Sequence, residues 1–429
     1  MITTQRAPGR TTEDLMSTSR SVLLSHLNTE TTPKKPEEVS KEEAKSAHKA
    51  KNMLTKFLTN RPWPWIKNYL KYRFTPRHVF VTYNTDGSNT GVYKMVSENS
   101  SGNKSANEIT IALASDWGTD TPESMLIGLA MDAHKPDYSI HMGDTYYVGL
   151  SEEIEQNFMP GNSYWPYGSI GSFALPGNHE MYSNGNAYFH TLLPWMGIKI
   201  PQRIPQQASY MCLETEYWRI IGLDTGHKSV GIPILEYFLS KANLPKKLLK
   251  WLEDVVKIGE DNKGLIFLTH HQYVSAFSQP FPATGKQLAK IIGKNRKVLW
   301  LWGHEHRFAM YGRYATKSGP QAYGRCIGHG GMPQVCLKKF NPQKAMKNNL
   351  VLYDNRTRIT LDNEDVGHNG FALLKLQNEN LTIEYYDEKQ MLVSENWKYN
   401  SKTHEIMGID IKINNQELNL NKQESCAIK

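Results

Sequence analysis

The chain has 429 residues, 39% hydrophobic and 21% charged, an ordinary balance for a globular protein with room for a sizeable core. It contains no apolar run of about 18 residues, which excludes a membrane-spanning helix, and no Cys-x-x-Cys, which excludes a zinc ribbon. Residues 1–77 hold 15 Lys or Arg against 7 Asp or Glu and so carry the whole net charge of +8, while the remainder balances at 35 against 35.

Residues 1–55 form a basic, polar arm of low apolar content, expected to be largely disordered apart from a short helix near 13–27. Such an arm can touch an acidic partner, nucleic acid or anionic lipid, or serve as a solubilising tail. No positive stretch followed by an apolar one opens the chain, so no secretory leader is read and a cytoplasmic location is expected. Cys212, Cys326, Cys336 and Cys426 are too scattered for a disulfide scaffold and read as reduced thiols. Residues 56–107 read as a helical and β-rich lead-in, with strands at His78–Tyr83 and Val92–Met95 about a turn at Gly87-Ser88-Asn89.

From Glu108 the pattern becomes α/β. Strands are predicted at Ile109–Ala114, Tyr138–Met142, Phe173–Leu175, Trp218–Leu223, Leu265–Leu268 and Val298–Trp302. Helices are predicted from Thr121-Pro122-Glu123 to His134, from Pro245 to Ile258 with Leu248, Trp251, Leu252 and Val255 on one face, and from Gly285 to Ile292. Gly370–Leu376 and Leu381–Tyr385 read as a hairpin, and residues 391–429 as a tail after a catalytic region of 108–390.

Five of these strands end in residues that ligate metals: Asp116-Trp117-Gly118, Gly143-Asp144-Thr145-Tyr146-Tyr147, Gly177-Asn178-His179-Glu180, Thr269-His270-His271 and Gly303-His304-Glu305-His306. Sites in α/β sheets form beyond the carboxyl ends of strands, so distant segments can converge there. Carboxylates, an amide, phenols and imidazoles make an oxygen and nitrogen set suited to borderline-hard cations. Asp144 is the natural bridge between two metals, with Asp116 and His306 on the first and Asn178, His270 and His304 on the second. His179, next to Asn178, is placed to act as general acid, and Glu180 to orient it. Glu305 reads as pointing away from its histidine neighbours. His271 is a candidate phosphate contact, and His329 another, in the glycine-rich Gly328-His329-Gly330-Gly331.

These segments resemble the calcineurin-like metallophosphoesterase superfamily over roughly residues 108–310, and most closely the purple acid phosphatases. Most of the superfamily has Asp-x-His in the first segment, where Gly118 stands here. The purple acid phosphatases have Gly-Asp-x-x-Tyr in the second, matched by Gly143, Asp144 and Tyr147. The resemblance implies a four-layer α/β/β/α sandwich, a tyrosinate ligand at Tyr147, and two metal ions, Fe(III) with Zn(II), Mn(II) or Fe(II). It implies hydrolysis of a phosphomonoester by a hydroxide activated on the metals. The histidine pair of plant members has no counterpart, since Gln279 and Pro280 stand there. A phosphodiesterase or nucleotide hydrolase on the same metals is the nearest alternative. A non-catalytic protein that binds nucleic acid or membrane through its arm is the alternative of another class.

Overall fold

The computed structural model describes residues 71, 75–84, 87–97, 108–160, 163–229, 242–260, 262–361 and 363–420. The basic arm with its expected helix, most of the lead-in and Cys426 lie outside these residues. Among the described residues no helix is long and apolar enough to cross a membrane.

Two nine-stranded sheets pack face to face. The first is centred on β1 (Ile109–Ala114), β2 (Tyr138–His141) and β3 (Gly171–Ala174), which run parallel. The second is centred on the parallel pair β4 (Gly264–Thr269) and β5 (Lys297–Trp302). Period-2 alternation assigns the faces. Ile111 and Leu113 of β1 point inward and meet Ile266 and Leu268 of β4 and Leu299 and Leu301 of β5 in the central core. Ala112 and Ala114 face outward, where their small size lets Ile127 and Met131 of the helix Pro122–Ala133 approach. On the far side, Phe267 and Trp300 take Leu248, Trp251 and Leu288 from other helices. Helices therefore cover both outer faces of the paired sheets, the four-layer sandwich expected.

The helix Pro122–Ala133 begins as predicted, with Thr121 accepting from the Ser124 N–H and Pro in the first turn. The predicted helix from Pro245 is an α-helix over Lys246–Trp251 that widens into a π-turn over Leu252–Val256. The wider turn shifts the phase, so Val256 is buried and Val255 is 45% exposed. His78–Tyr83 forms no strand, because its polar groups bond outside any ladder: the His78 N–H donates to Asn184 O and the Tyr83 hydroxyl to Tyr210 O. The segment from 391, expected as a tail, instead supplies Met391–Asn400 and Glu405–Ile413, two strands that extend the first sheet beyond the predicted hairpin. Their alternation is obscured by charged residues on the open face of an edge strand, Glu405, Asp410 and Lys412.

Ala114 pairs with His141 and His141 with Ala174, so β1, β2 and β3 end level. Trp302 pairs with Thr269 in the same way. The loops that leave these ends bring Asp116, Asp144, Asn178, His270 and His304 to one end of the sandwich.

Candidate metal centre

Four of the candidate ligands sit on unusual backbone. Asp116, Asp144, His304 and His306 have φ of 58°, 69°, 67° and 33°, a left-handed region that non-glycine residues enter uncommonly and that concentrates at functional sites. Each turns the chain sharply just past a strand. The turns come close enough that a Cβ on Gly177 would strike Asp144 Oδ1, and one on Gly303 would strike Ser115 Oγ.

Asp144 is buried at the centre. Its Oδ2 lies 3.1 Å from His270 Nε2, 3.8 Å from His179 Nε2 and 3.3 Å from the Tyr146 hydroxyl, and its Oδ1 accepts the His179 N–H at 2.9 Å. Ligand atoms of Asp144, His270 and His304 all lie within 4.8 Å of one another. Asp116 forms a second group beside it. Its Oδ1 accepts from the Tyr146 hydroxyl at 2.9 Å and lies 3.4 Å from His306 Nε2, and its Oδ2 accepts the His304 N–H at 2.9 Å.

The tyrosine expectation shifts by one residue. It is Tyr146 whose hydroxyl reaches Asp116, Asp144 and His306, the last at 2.8 Å. Tyr147 is held through its backbone, its N–H donating to Glu153 Oε1 and its carbonyl facing His179 Nδ1. The cause lies at Gly118, which pairs with Thr145 and accepts the Tyr146 N–H at 2.7 Å. A Cβ at 118 would stand 3.2 Å from Thr145 Cα and Oγ1. The missing side chain thus lets Thr145 lie against the first segment and carries the following ring across to Asp116. Spacing alone could not reveal this, since both tyrosines follow Asp144.

The donors fit cations. Asn178 Nδ2 donates to the Tyr182 hydroxyl at 3.0 Å, while its buried Oδ1 finds no hydrogen-bond partner among the described residues. A buried acceptor left so costs of order 1–3 kcal/mol, which a cation would relieve. Burial, and after it His270, push His304 down to about 3, and burial likewise holds His271 well below its usual range. Both rings are therefore neutral, the state metal coordination requires. Burial opposes charge on Asp144, yet its neighbours, His270 foremost, hold it well below the usual carboxylate range. Asp116 is lowered through His306 and His270.

His270 is the counterpart of those carboxylates. Burial lowers its affinity for a proton, but Asp144 dominates and takes it to about 9. A folded value above the ordinary 6.5 gives stability that is full below pH 6.5 and lost as pH rises through 9. Metal-free protein should therefore lose melting temperature between pH 6.5 and 9, and metal-loaded protein should not, because the cation replaces the proton. Thermal melts across that range, with and without chelator, check this.

The remaining candidates are placed as follows. His179 Nδ1 lies 2.5 Å from Tyr147 O, leaving Nε2 toward Asp144 with the side chain 20% exposed. Glu180, expected to orient His179, instead accepts the N–H groups of Asp144 and Gly177 at 3.1 and 2.8 Å. His271 is 3% exposed, with Nδ1 at 3.1 Å from Thr225 Oγ1 and its ring 4.7 Å from that of His304. His329 does not line the site. Its ring is 1% exposed, stacked on Phe308, where a Cβ on Gly370 would collide with it. The glycines around it account for the motif, because Gly328 and Gly330 pack directly on Asp116 and Ser115. Two residues escaped the sequence reading. Glu153 gathers the N–H groups of Tyr147, Val148 and Leu150, and Thr225 anchors His271. The only signals were a glutamate in the first turn of a short helix and an Asp-Thr-Gly turn after a strand. A separate group, His368, Asp387 and Glu388, also lies within 4.8 Å, but Arg356 and Arg358 already pair its carboxylates.

Residues 109–308 match the calcineurin-like phosphoesterase family. Over these residues the chain carries a calcineurin-like phosphoesterase domain, and it is a metal-dependent phosphoesterase. No curated protein matches its sequence. Among solved structures it is similar to PhoD, with 10% identity over 71% of this chain and 72% of that one and a TM-score of 0.49. It is also similar to a conserved uncharacterized protein of Streptococcus pneumoniae, a predicted phosphoesterase, with 12% identity over 66% and 91% of the two chains and a TM-score of 0.25. A third similarity is to a Vps29 single mutant from Entamoeba histolytica, with 8% identity over 68% and 100% and a TM-score of 0.25.

Proposed function

We propose that this phosphoesterase hydrolyses phosphate monoesters on a pair of metal ions, in the manner of the purple acid phosphatases. The observation that carries the reading is the division of the donors into two groups about the buried Asp144. Asp116, Tyr146 and His306 would hold one cation, and Asn178, His270 and His304 the other. Asp144 would stand between them and offset their mutual repulsion. When bound, a metal pair polarises a phosphoryl oxygen, lowers the pKa of water and stabilises the departing oxygen.

Tyr146 favours a trivalent ion in its group. Burial, Asp116 and Asp144 all raise its phenol well above the ordinary 10, and the phenolate that a cation would form there is a hard anionic donor. Fe(III) there, with Zn(II), Mn(II) or Fe(II) in the histidine-rich group, matches hard and borderline donors to their ions. His179 Nε2, the ring nitrogen not turned to the Tyr147 carbonyl, would pass a proton to the leaving oxygen. His271, fixed by Thr225 beside His304, is placed for a phosphate oxygen.

Elemental analysis with a visible spectrum tests the centre. Two ions per chain and a charge-transfer band lost in Tyr146→Phe but kept in Tyr147→Phe are expected. A colourless, fully active zinc or manganese enzyme would remove iron from the reading and leave the hydrolase. Faster turnover of bis-aryl than of aryl phosphate would make the chain a diesterase.

A further inference from the structure

Glu305 stands between two candidate ligands, His304 and His306, but its carboxylate turns away from both. The residue is 7% exposed, and three donors enclose it: the Ser275 and Ser278 hydroxyls on Oε1, the second at 2.6 Å, and Trp302 Nε1 on Oε2 at 3.1 Å. The serines belong to residues 272–281, the loop that leaves His270 and His271. That loop is built around the same carboxylate. Ser275 Oγ also accepts the N–H groups of Phe277 and Ser278 at 2.9 and 2.8 Å. Gln272 Nε2 donates to Ser278 Oγ and to Gln279 O, and the Phe281 N–H closes the loop on Gln272 O. Its far end sets the Phe281 ring 5.1 Å from His271 and 6.3 Å from His304. Arg307, the next residue of the last segment, lies over the Phe277 ring at 4.4 Å.

A buried carboxylate is tolerated only when its lone pairs are filled, and here every donor comes from the loop or from the strand that leads to His304. We propose that Glu305 is a positioning residue. It locks the His304–His306 turn and the 272–281 loop into one unit, and that loop is the wall, faced by Phe281, on which the substrate's leaving group rests. The substrate part rests on the phosphoesterase reading above. It also gives a use to the segment where the plant-type histidine pair is missing.

The test uses metal-loaded full-length protein as wild type, Glu305→Gln and the double variant Ser275→Ala/Ser278→Ala. Glutamine keeps one acceptor oxygen but turns an NH2 group toward a donor, so it cannot satisfy all three partners. Hydrogen exchange at the Phe277 and Ser278 amides should quicken by about 10-fold or more in both variants. Half-saturating Mn(II), read by titration, should rise about 10- to 100-fold in Glu305→Gln, the range typical for a partner that orients ligands, and less in the serine variant. KM for phenyl phosphate should rise more than kcat falls in both. Folded Glu305→Gln with exchange and Mn(II) binding within two-fold of wild type would overturn the proposal. A wild type that binds Mn(II) and cleaves no phosphoester would remove the phosphoesterase reading and the leaving-group wall with it, while exchange and titration still decide the positioning role.

Discussion

Asp144→Asn is expected to lower kcat/KM by more than about 100-fold and to reduce bound metal per chain. The bound follows from geometry. Partners one layer beyond a metal's ligands cost about 10- to 100-fold when removed, whereas Asp144 faces both donor groups itself. His270, foremost among its neighbours, holds its carboxylate ionised against burial, and on the proposed reading that negative charge would let two cations sit close together. An amide keeps the shape and the acceptance of the His179 N–H but brings no charge. Steady-state kinetics with elemental analysis of the same preparation give the result. A variant that keeps both its metal content and its turnover would mean that Asp144 does not bridge.

Much of this centre was legible because its parts obey local rules. Buried strands such as Ile109–Ala114 and Lys297–Trp302 announce themselves by apolar runs of strand length. Candidate ligands just past strand ends follow from how parallel sheets present their carboxyl ends. What was not legible depends on neighbours far away in the chain. The choice of Tyr146 over Tyr147 is made by Gly118 lying against Thr145, a contact between segments that spacing within one motif does not encode. Glu305 reads as pointing away from its histidine neighbours, but what it points to was not legible, because its serine partners lie 27 and 30 residues earlier. His329 stands in a glycine-rich loop that does reach Asp116, but the glycines make the approach while the ring turns into the core. The strands from 391 carry polar residues on an open face, so their pairing is decided by neighbours: Met391–Asn400 lies against Asn380–Asp387, and Glu405–Ile413 against Met391–Asn400.

His179→Ala is expected to lower kcat by about 10²- to 10⁴-fold for alkyl phosphates, the span of general acid catalysis, and by much less for an aryl phosphate whose leaving group departs without a proton. The asymmetry comes from how the ring is held. Nδ1 lies 2.5 Å from the Tyr147 carbonyl and must donate its proton there, so delivery to a leaving oxygen falls to Nε2, 3.8 Å from Asp144 Oδ2 on a side chain that is 20% exposed. The contact that ties this residue to the metal centre is its backbone N–H on Asp144 Oδ1, and alanine keeps it. Metal content should therefore stay at the wild-type value while the slope of log kcat against leaving-group pKa steepens. Loss of metal in parallel with rate would show that the imidazole is itself a ligand. An equal rate loss for alkyl and aryl esters would assign it to phosphate binding, because a group that only holds the phosphoryl oxygens does not sense which alcohol departs.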